Sequence, residues 1–202
     1  MVFLKGLLKE WWLWGILLAG LIFWLSSCST PEQMQPGLKE YRVGFNKHDF
    51  TPSPLPFPME ARSFDGVAMF DPSMWYNSLG TDQSDWNKLA GVHKFSDIVK
   101  NRNAFILAWR PDIKIRDVFE LCMYENIQGK NAPKESAIYK VKANERFTFS
   151  LDEIDGKYSL YVNNVLIGTQ ANDHKYKVIG KISAWFGGNR RAPNTMYLYM
   201  NF

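Results

Sequence analysis

Phe147-Thr148-Phe149-Ser150-Leu151, followed by Tyr158-Ser159-Leu160-Tyr161-Val162-Asn163-Asn164-Val165-Leu166-Ile167, decides the fold. In both stretches the apolar residues fall on every second position, which puts them on one face of a β-strand and their neighbours on the other. Asn163-Asn164 separates two such runs by the two residues of a tight hairpin, and asparagine tolerates the positive φ that such a turn needs.

The same period extends outward from this hairpin. Tyr41–Phe45, Phe64–Phe70, Ala104–Trp109, Val118–Tyr124, Ala137–Val141, Tyr176–Phe186 and Met196–Phe202 all read as strands, spaced by turn residues at intervals expected of a β-sandwich. The chain is therefore expected to be all-β, with two antiparallel sheets over residues 41–202. One short helix is expected, with Thr81 capping Asp82–Leu89 and Gly91 ending it. Thr51–Pro58 carries proline at every second position from Pro52, so it is expected to lie extended over the surface as a connector. The aromatic last strand invites comparison with outer-membrane barrels, but the other strands are too short and irregular for a lipid-facing band.

Upstream of the sandwich the pattern changes. Lys5 and Lys9 precede an apolar run from Trp11 to Leu25, and Leu25-Ser26-Ser27-Cys28 follows. The run is short of the roughly 20 residues that a membrane-spanning helix needs and suits a signal-peptide core. The four closing residues resemble the bacterial lipobox. That resemblance implies a signal peptide over 1–27, cleavage before Cys28, and lipidation of the Cys28 thiol, with residues 28–40 as a tether. Acyl chains contribute roughly 0.8 kcal/mol per buried methylene, so the partner expected at this end is a membrane. Ser29, where an inner-membrane retention signal would place Asp, resembles the outer-membrane sorting class. The expected address is the cell envelope, on either face of the outer membrane.

The formal net charge is +4, and no basic run marks a nucleic-acid footprint. If Cys28 carries lipid, Cys122 is the second of two cysteines and has no intramolecular disulfide partner. Its setting, Val118-Phe119-Glu120-Leu121-Cys122-Met123-Tyr124, reads as a strand in which it is a small buried residue. Stability is then expected to come from core burial rather than from a disulfide.

Trp185-Phe186-Gly187-Gly188-Asn189-Arg190-Arg191-Ala192-Pro193 and the strand after it resemble the ending of concanavalin A-like jelly rolls, including lectin-like, glucanase-type and polysaccharide-lyase-like domains. The hairpin Tyr158–Gly168 is similar to theirs, and Asp85-Trp86-Asn87-Lys88-Leu89 with Trp109-Arg110 resembles exported β-sandwich proteins. The resemblance implies a jelly roll and a glycan-related role. Paired glycines suit a sharp reversal, and Pro193 suits re-entry into a strand.

Four chemistries compete with plain structural roles in this sequence. Glu153-Ile154-Asp155 resembles part of a retaining-glucanase motif, but the third acid position is Tyr158, and Asp155-Gly156 is a turn signal. A lyase would draw on Arg102, Arg110, His93, His174, Tyr124 and Tyr139, yet no spacing forces them together. Metal is not expected, since no cluster has ligand spacing, although Asp82 with Asp85 or Asp152 with Asp155 could contribute to a calcium site. Carbohydrate binding needs aromatic faces and polar edges. Trp75, Tyr76 and Trp86, in a loop-rich segment, are the expected binding residues, with Arg110, Asn189 and Arg190; Trp109 and Trp185 read as core. The expectation is a membrane-anchored, non-catalytic glycan-binding module without a cofactor. A lyase-like enzyme and a structural envelope lipoprotein are the alternatives.

Overall fold

The computed structural model describes residues 37–53, 58–59, 63–94, 103–127, 130–131, 136–171 and 179–202. The chain divides into two units, Met1–Pro36 and Gly37–Phe202. The first, which holds the signal-like segment and Cys28, lies outside the described residues, as do Arg102 and His174.

The second unit is built from β1 (Lys39–Val43), β2 (Phe50–Thr51), β3 (Pro58–Met59), β4 (Phe64–Phe70), β5 (Asn87–Lys94), β6 (Asn103–Pro111) and β7 (Val118–Ile127). After these come β8 (Lys130–Asn131), β9 (Tyr139–Lys142), β10 (Arg146–Ile154), β11 (Lys157–Val162), β12 (Val165–Ala171), β13 (Ile179–Ile182) and β14 (Met196–Asn201). One sheet has the order β12-β11-β10-β4-β14-β1-β2. The other runs β3-β13-β5-β6-β7-β8, with β9 also paired to β7. The pairings are antiparallel, and the architecture is the two-sheet jelly-roll sandwich that the alternating strands imply.

Hairpin chemistry is visible in the backbone. Asn163 and Asn164 have φ of 47° and 63°, and Asp155 and Gly156 have 52° and 71°, so both turns use the paired positive φ that matches strand twist. Asp155 is thus a turn residue between β10 and β11.

The inward faces meet in an aromatic core. Phe70 of β4 lies 4.5 Å from Phe119 of β7 and 5.3 Å from Trp109 of β6, between ring centroids. Phe105 of β6 meets Tyr158 of β11 at 4.3 Å. Trp109 is fully buried here, as its inward position requires, while Cys122 is buried on the outward side of β7, between Glu120 and Tyr124 in the alternation.

The expected helix over Asp82–Leu89 is not formed. Gly80–Ser84 makes a 3-10 turn that ends at Asp85 in extended conformation, and β5 begins at Asn87. The reason is a β-bulge between Lys88 and Ala90, which puts Leu89 and Ala90 both into the core. Trp86, Leu89 and Ala90 are spaced i, i+3, i+4, so a bulged strand imitates a helical stripe. Gly91 does not cap a helix; a Cβ there would lie 2.9 Å from Ile106 Cα, so it allows the close approach of β5 to β6.

Tyr176–Phe186, expected as one strand, is described from Ile179 on and leaves the ladder after Ile182. Trp185 then makes isolated bridges to Lys88 and Asp49. Its backbone exchanges two hydrogen bonds with Lys88, at 2.9 and 3.0 Å, while Phe186 N–H donates to the His48 carbonyl at 2.9 Å. This segment ties β5 of one sheet to the approach of β2 in the other. Of the proline-rich stretch, residues 54–57 lie outside the described residues.

Candidate binding cleft on the outer sheet face

The ladder of β5, β6, β7 and β9 lays a row of side chains across the outer face of the second sheet. Asn87 pairs with Trp109, so continuing that register by one residue sets Trp86 beside Arg110. Arg110 pairs with Glu120, and Glu120 with Lys140. The contacts follow the register. The Arg110 guanidinium lies 4.2 Å from the Trp86 ring centroid, and its Nε donates to Glu120 at 2.8 Å. Arg110 also donates to the Ser84 carbonyl at 3.2 Å. Lys140 reaches Glu120 at 3.5 Å and Asp112 at 2.6 Å.

One side of this row opens into a cleft of about 580 Å³. Ser84, Asp85, Trp86, Lys88, Arg110, Tyr124 and Asn126 line it from β5, β6, β7 and the turn before β5. Trp185, Gly187, Gly188 and Asn189 close it from the loop that leads to β14.

The paired glycines explain how that loop lies so close. Gly187 N–H donates to buried Asn87 Oδ1 at 2.8 Å, and a Cβ on Gly187 would sit 2.6 Å from the Trp86 carbonyl oxygen. Gly188 has φ of 77°, and a Cβ there would collide with the Asp85 carboxylate. Beyond the glycines, Arg190 Nε donates to Asp82 at 3.0 Å. Asn46 and Ala192 also exchange a backbone contact, with Asn46 N–H donating at 2.9 Å. The loop is thereby fastened to the Asp82–Asn87 segment, and the cleft wall is preformed.

The expected binding residues separate. Trp86, Arg110 and Asn189 come together in the cleft. Arg190 is exposed and committed to Asp82, where it braces the wall. Trp75 lies outside the cleft, half-buried against the core, with its indole N–H donating to the Asp112 carbonyl at 3.0 Å. Tyr76 is corrected to a core residue. It is buried against Trp109 and Phe186, and its hydroxyl accepts from Asn87 Nδ2 at 2.8 Å, so it offers no face to a ligand. Trp185, expected in the core, is half-buried and lines the cleft, with His48 stacked on it at 5.2 Å.

Lys88, Tyr124 and Asn126 join the site from strand alternation. Trp86 and Lys88 share the outer face of β5, and Tyr124 and Asn126 that of β7. Burial alone pushes Lys88 down to about 8. It also raises Tyr124, with the neighbouring Cys122 and Asp85 adding to the rise, so the phenol stays neutral. His93 is buried, and no histidine among the described residues lines the cleft. Among the described residues no group of three or more His, Cys, Asp or Glu side chains could hold a metal ion; Asp82 holds Arg190, and Asp152 accepts from Ser150.

At the far end of the row, Asp112 organises the β6–β7 hairpin. It is buried, and its carboxylate accepts from Lys140 and from the backbone N–H groups of Lys114 and Ile115. The Lys140 hydrogen bond is the chief cause of its lowered pKa. A depressed carboxylate stabilises the fold above the ordinary aspartate range, and that contribution fades as pH falls below it. Asp112→Ala should therefore cost about 1–3 kcal/mol at neutral pH. In urea unfolding the gap from the parent chain should hold from neutral pH down to about pH 4 and narrow as pH falls further. An unchanged gap at acid pH would show that the carboxylate's charge does not hold the hairpin.

No protein-family model and no curated protein sequence matches the chain. Solved structures match in shape. A family 7 alginate lyase in complex with substrate gives a TM-score of 0.51 at 10% identity, over 85% of this chain and 80% of that one. A glycoside hydrolase family 16 endo-glucanase from Bacteroides ovatus gives 0.45 at 10% identity, over 81% and 78%. A carbohydrate-binding module from Bacillus subtilis gives 0.37 at 11% identity, over 71% and 73%. At such identities the likeness is one of fold, and the alginate lyase superposition carries it: the chain has the concanavalin A-like jelly-roll fold.

Proposed function

We propose that the described domain is a glycan-binding module and that the cleft at Trp86 is its binding site. One observation carries this reading. Trp86, Trp185 and Tyr124 converge with Arg110, Asn126 and Asn189 on a single open cleft with a braced wall. Sugars stack their apolar faces on aromatic rings and spend their hydroxyls on amides and guanidinium groups, and rigid rings lose little entropy in doing so.

A lyase would use the same cleft, where Arg110 and Tyr124 are both present. The binding reading is favoured because Arg110 is already committed to Glu120 and the Ser84 carbonyl, and burial holds Tyr124 neutral. A glycan array with ultraviolet detection of unsaturated products separates the two. Binding without product is expected. Product formation would establish the lyase, and silence across the array would remove the glycan reading.

The delivery route is part of the proposal. The lipobox-like Leu25-Ser26-Ser27-Cys28 supports export, cleavage and lipidation at Cys28, with the domain anchored to either face of the outer membrane. No helix among the described residues is long and apolar enough to cross a membrane. Mass spectrometry of the membrane fraction should find an acylated Cys28 at the N-terminus. An intact, unacylated Met1 would overturn this route.

A further inference from the structure

Lys88 is the charge in the cleft that the fold does not use. Its cross-strand neighbours on the outer face are Ala108 on one side and Trp185 on the other, so neither offers a carboxylate. Its ammonium lies 4.2 Å from the Trp185 ring centroid and makes no ion pair among the described residues. The other cations of this face are tied: Arg110 to Glu120, Lys140 to Asp112 and Glu120, Arg190 to Asp82. Asp85, the one carboxylate among the residues lining the cleft, rests against Gly188.

A half-buried ammonium without a counter-charge has lost water and regained only a ring face. The fall in its pKa, caused by burial alone, is the mark of that uncompensated loss. An arriving anion restores what the fold withholds, and Asn126 lines the same cleft with an amide that can meet it. We propose that the glycan taken by this cleft is acidic, carrying a carboxylate or sulfate group that seats on the Lys88 ammonium. This inference rests on the glycan-binding reading and names the ligand class within it.

The test is calorimetric titration of the full chain with three oligosaccharides of matched length: a uronate, a sulfated sugar and a neutral glucan. One acidic ligand is expected to bind at least about tenfold tighter than the neutral one, the difference that one charge-assisted contact makes; which of the two does so identifies the anion. Lys88→Met should abolish that preference, bringing acidic and neutral affinities to within about twofold of each other, while Lys88→Arg should restore most of it. Because the fold gains nothing from this charge, Lys88→Met should melt no lower than the parent, which separates lost recognition from lost folding.

Acidic binding should also decline as pH rises through about 8, while neutral binding stays flat. The other titratable groups around Lys88 are Asp85, Arg110 and Tyr124 on the cleft walls and His48 and Asp49 beside Trp185. Equal binding of acidic and neutral sugars, or acidic binding that survives Lys88→Met, would overturn the inference and spare the glycan reading. Failure of all three sugars would overturn both.

Discussion

Trp86→Ala should weaken glycan binding by roughly 10- to 100-fold, the range that loss of an aromatic hot spot gives. The ring is not loose. Arg110 stacks on it at 4.2 Å, and Arg110 is itself fixed by Glu120 and the Ser84 carbonyl. The guanidinium thus orients the ring in the cleft lining before a ligand arrives. Alanine removes the stacking surface and also leaves Arg110 without its partner. Trp75→Ala is the matched control, a tryptophan outside the cleft whose loss removes a hydrogen bond to the Asp112 carbonyl. It should lower the melting temperature modestly and leave binding within about twofold, as expected for a residue that touches no ligand. Titration of both variants decides the matter. Unchanged affinity in Trp86→Ala, with affinity lost in Trp75→Ala, would move the site to the β6–β7 hairpin.

The sandwich was legible because most of its strands obey period two without interruption. Phe147, Phe149 and Leu151 all enter the core, and Asn163-Asn164 turns where two asparagines allow it. The site was legible only in part, and β5 explains why. A bulge beside the cleft places Leu89 and Ala90 on the same side, so alternation fails where the cleft-lining residues stand. Read as a helix, the segment isolates Lys88; read as a strand, it pairs Lys88 with Trp86 on one face. Trp185 was hidden for a related reason. A tryptophan within an apolar run reads as core, and only the bridges to Lys88 and Asp49 bring it to the cleft. Tyr76 was misread in the opposite sense, because a loop address gives no hint that its hydroxyl accepts from Asn87 inside the core. A search for bulge-compatible alternation, with one doubled apolar position, would have found β5.

Gly188→Val should destabilise the domain by about 2–4 kcal/mol and weaken ligand binding together with it. Two costs are combined in this figure. The first is backbone: at φ of 77° a β-branched side chain is strained wherever it sits. The second is local: the new Cβ meets the Asp85 carboxylate, so the loop must lift from the Asp82–Asn87 segment, and Trp185 and Asn189 lift with it. Gly156→Val separates the two. Gly156 has φ of 71° and nothing within 4 Å of where its Cβ would be, so it bears the backbone cost of about 1–2 kcal/mol without the collision. Denaturant unfolding of the pair should place Gly188→Val lower by the price of displacing Asp85. Binding should fall in that variant alone, because the β10–β11 turn belongs to the other sheet and contributes no residue to the cleft. Equal destabilisation with intact binding in both would mean that the glycine pair serves the chain reversal only. The cleft wall would then owe its position to the Arg190–Asp82 contact and the Gly187–Asn87 hydrogen bond.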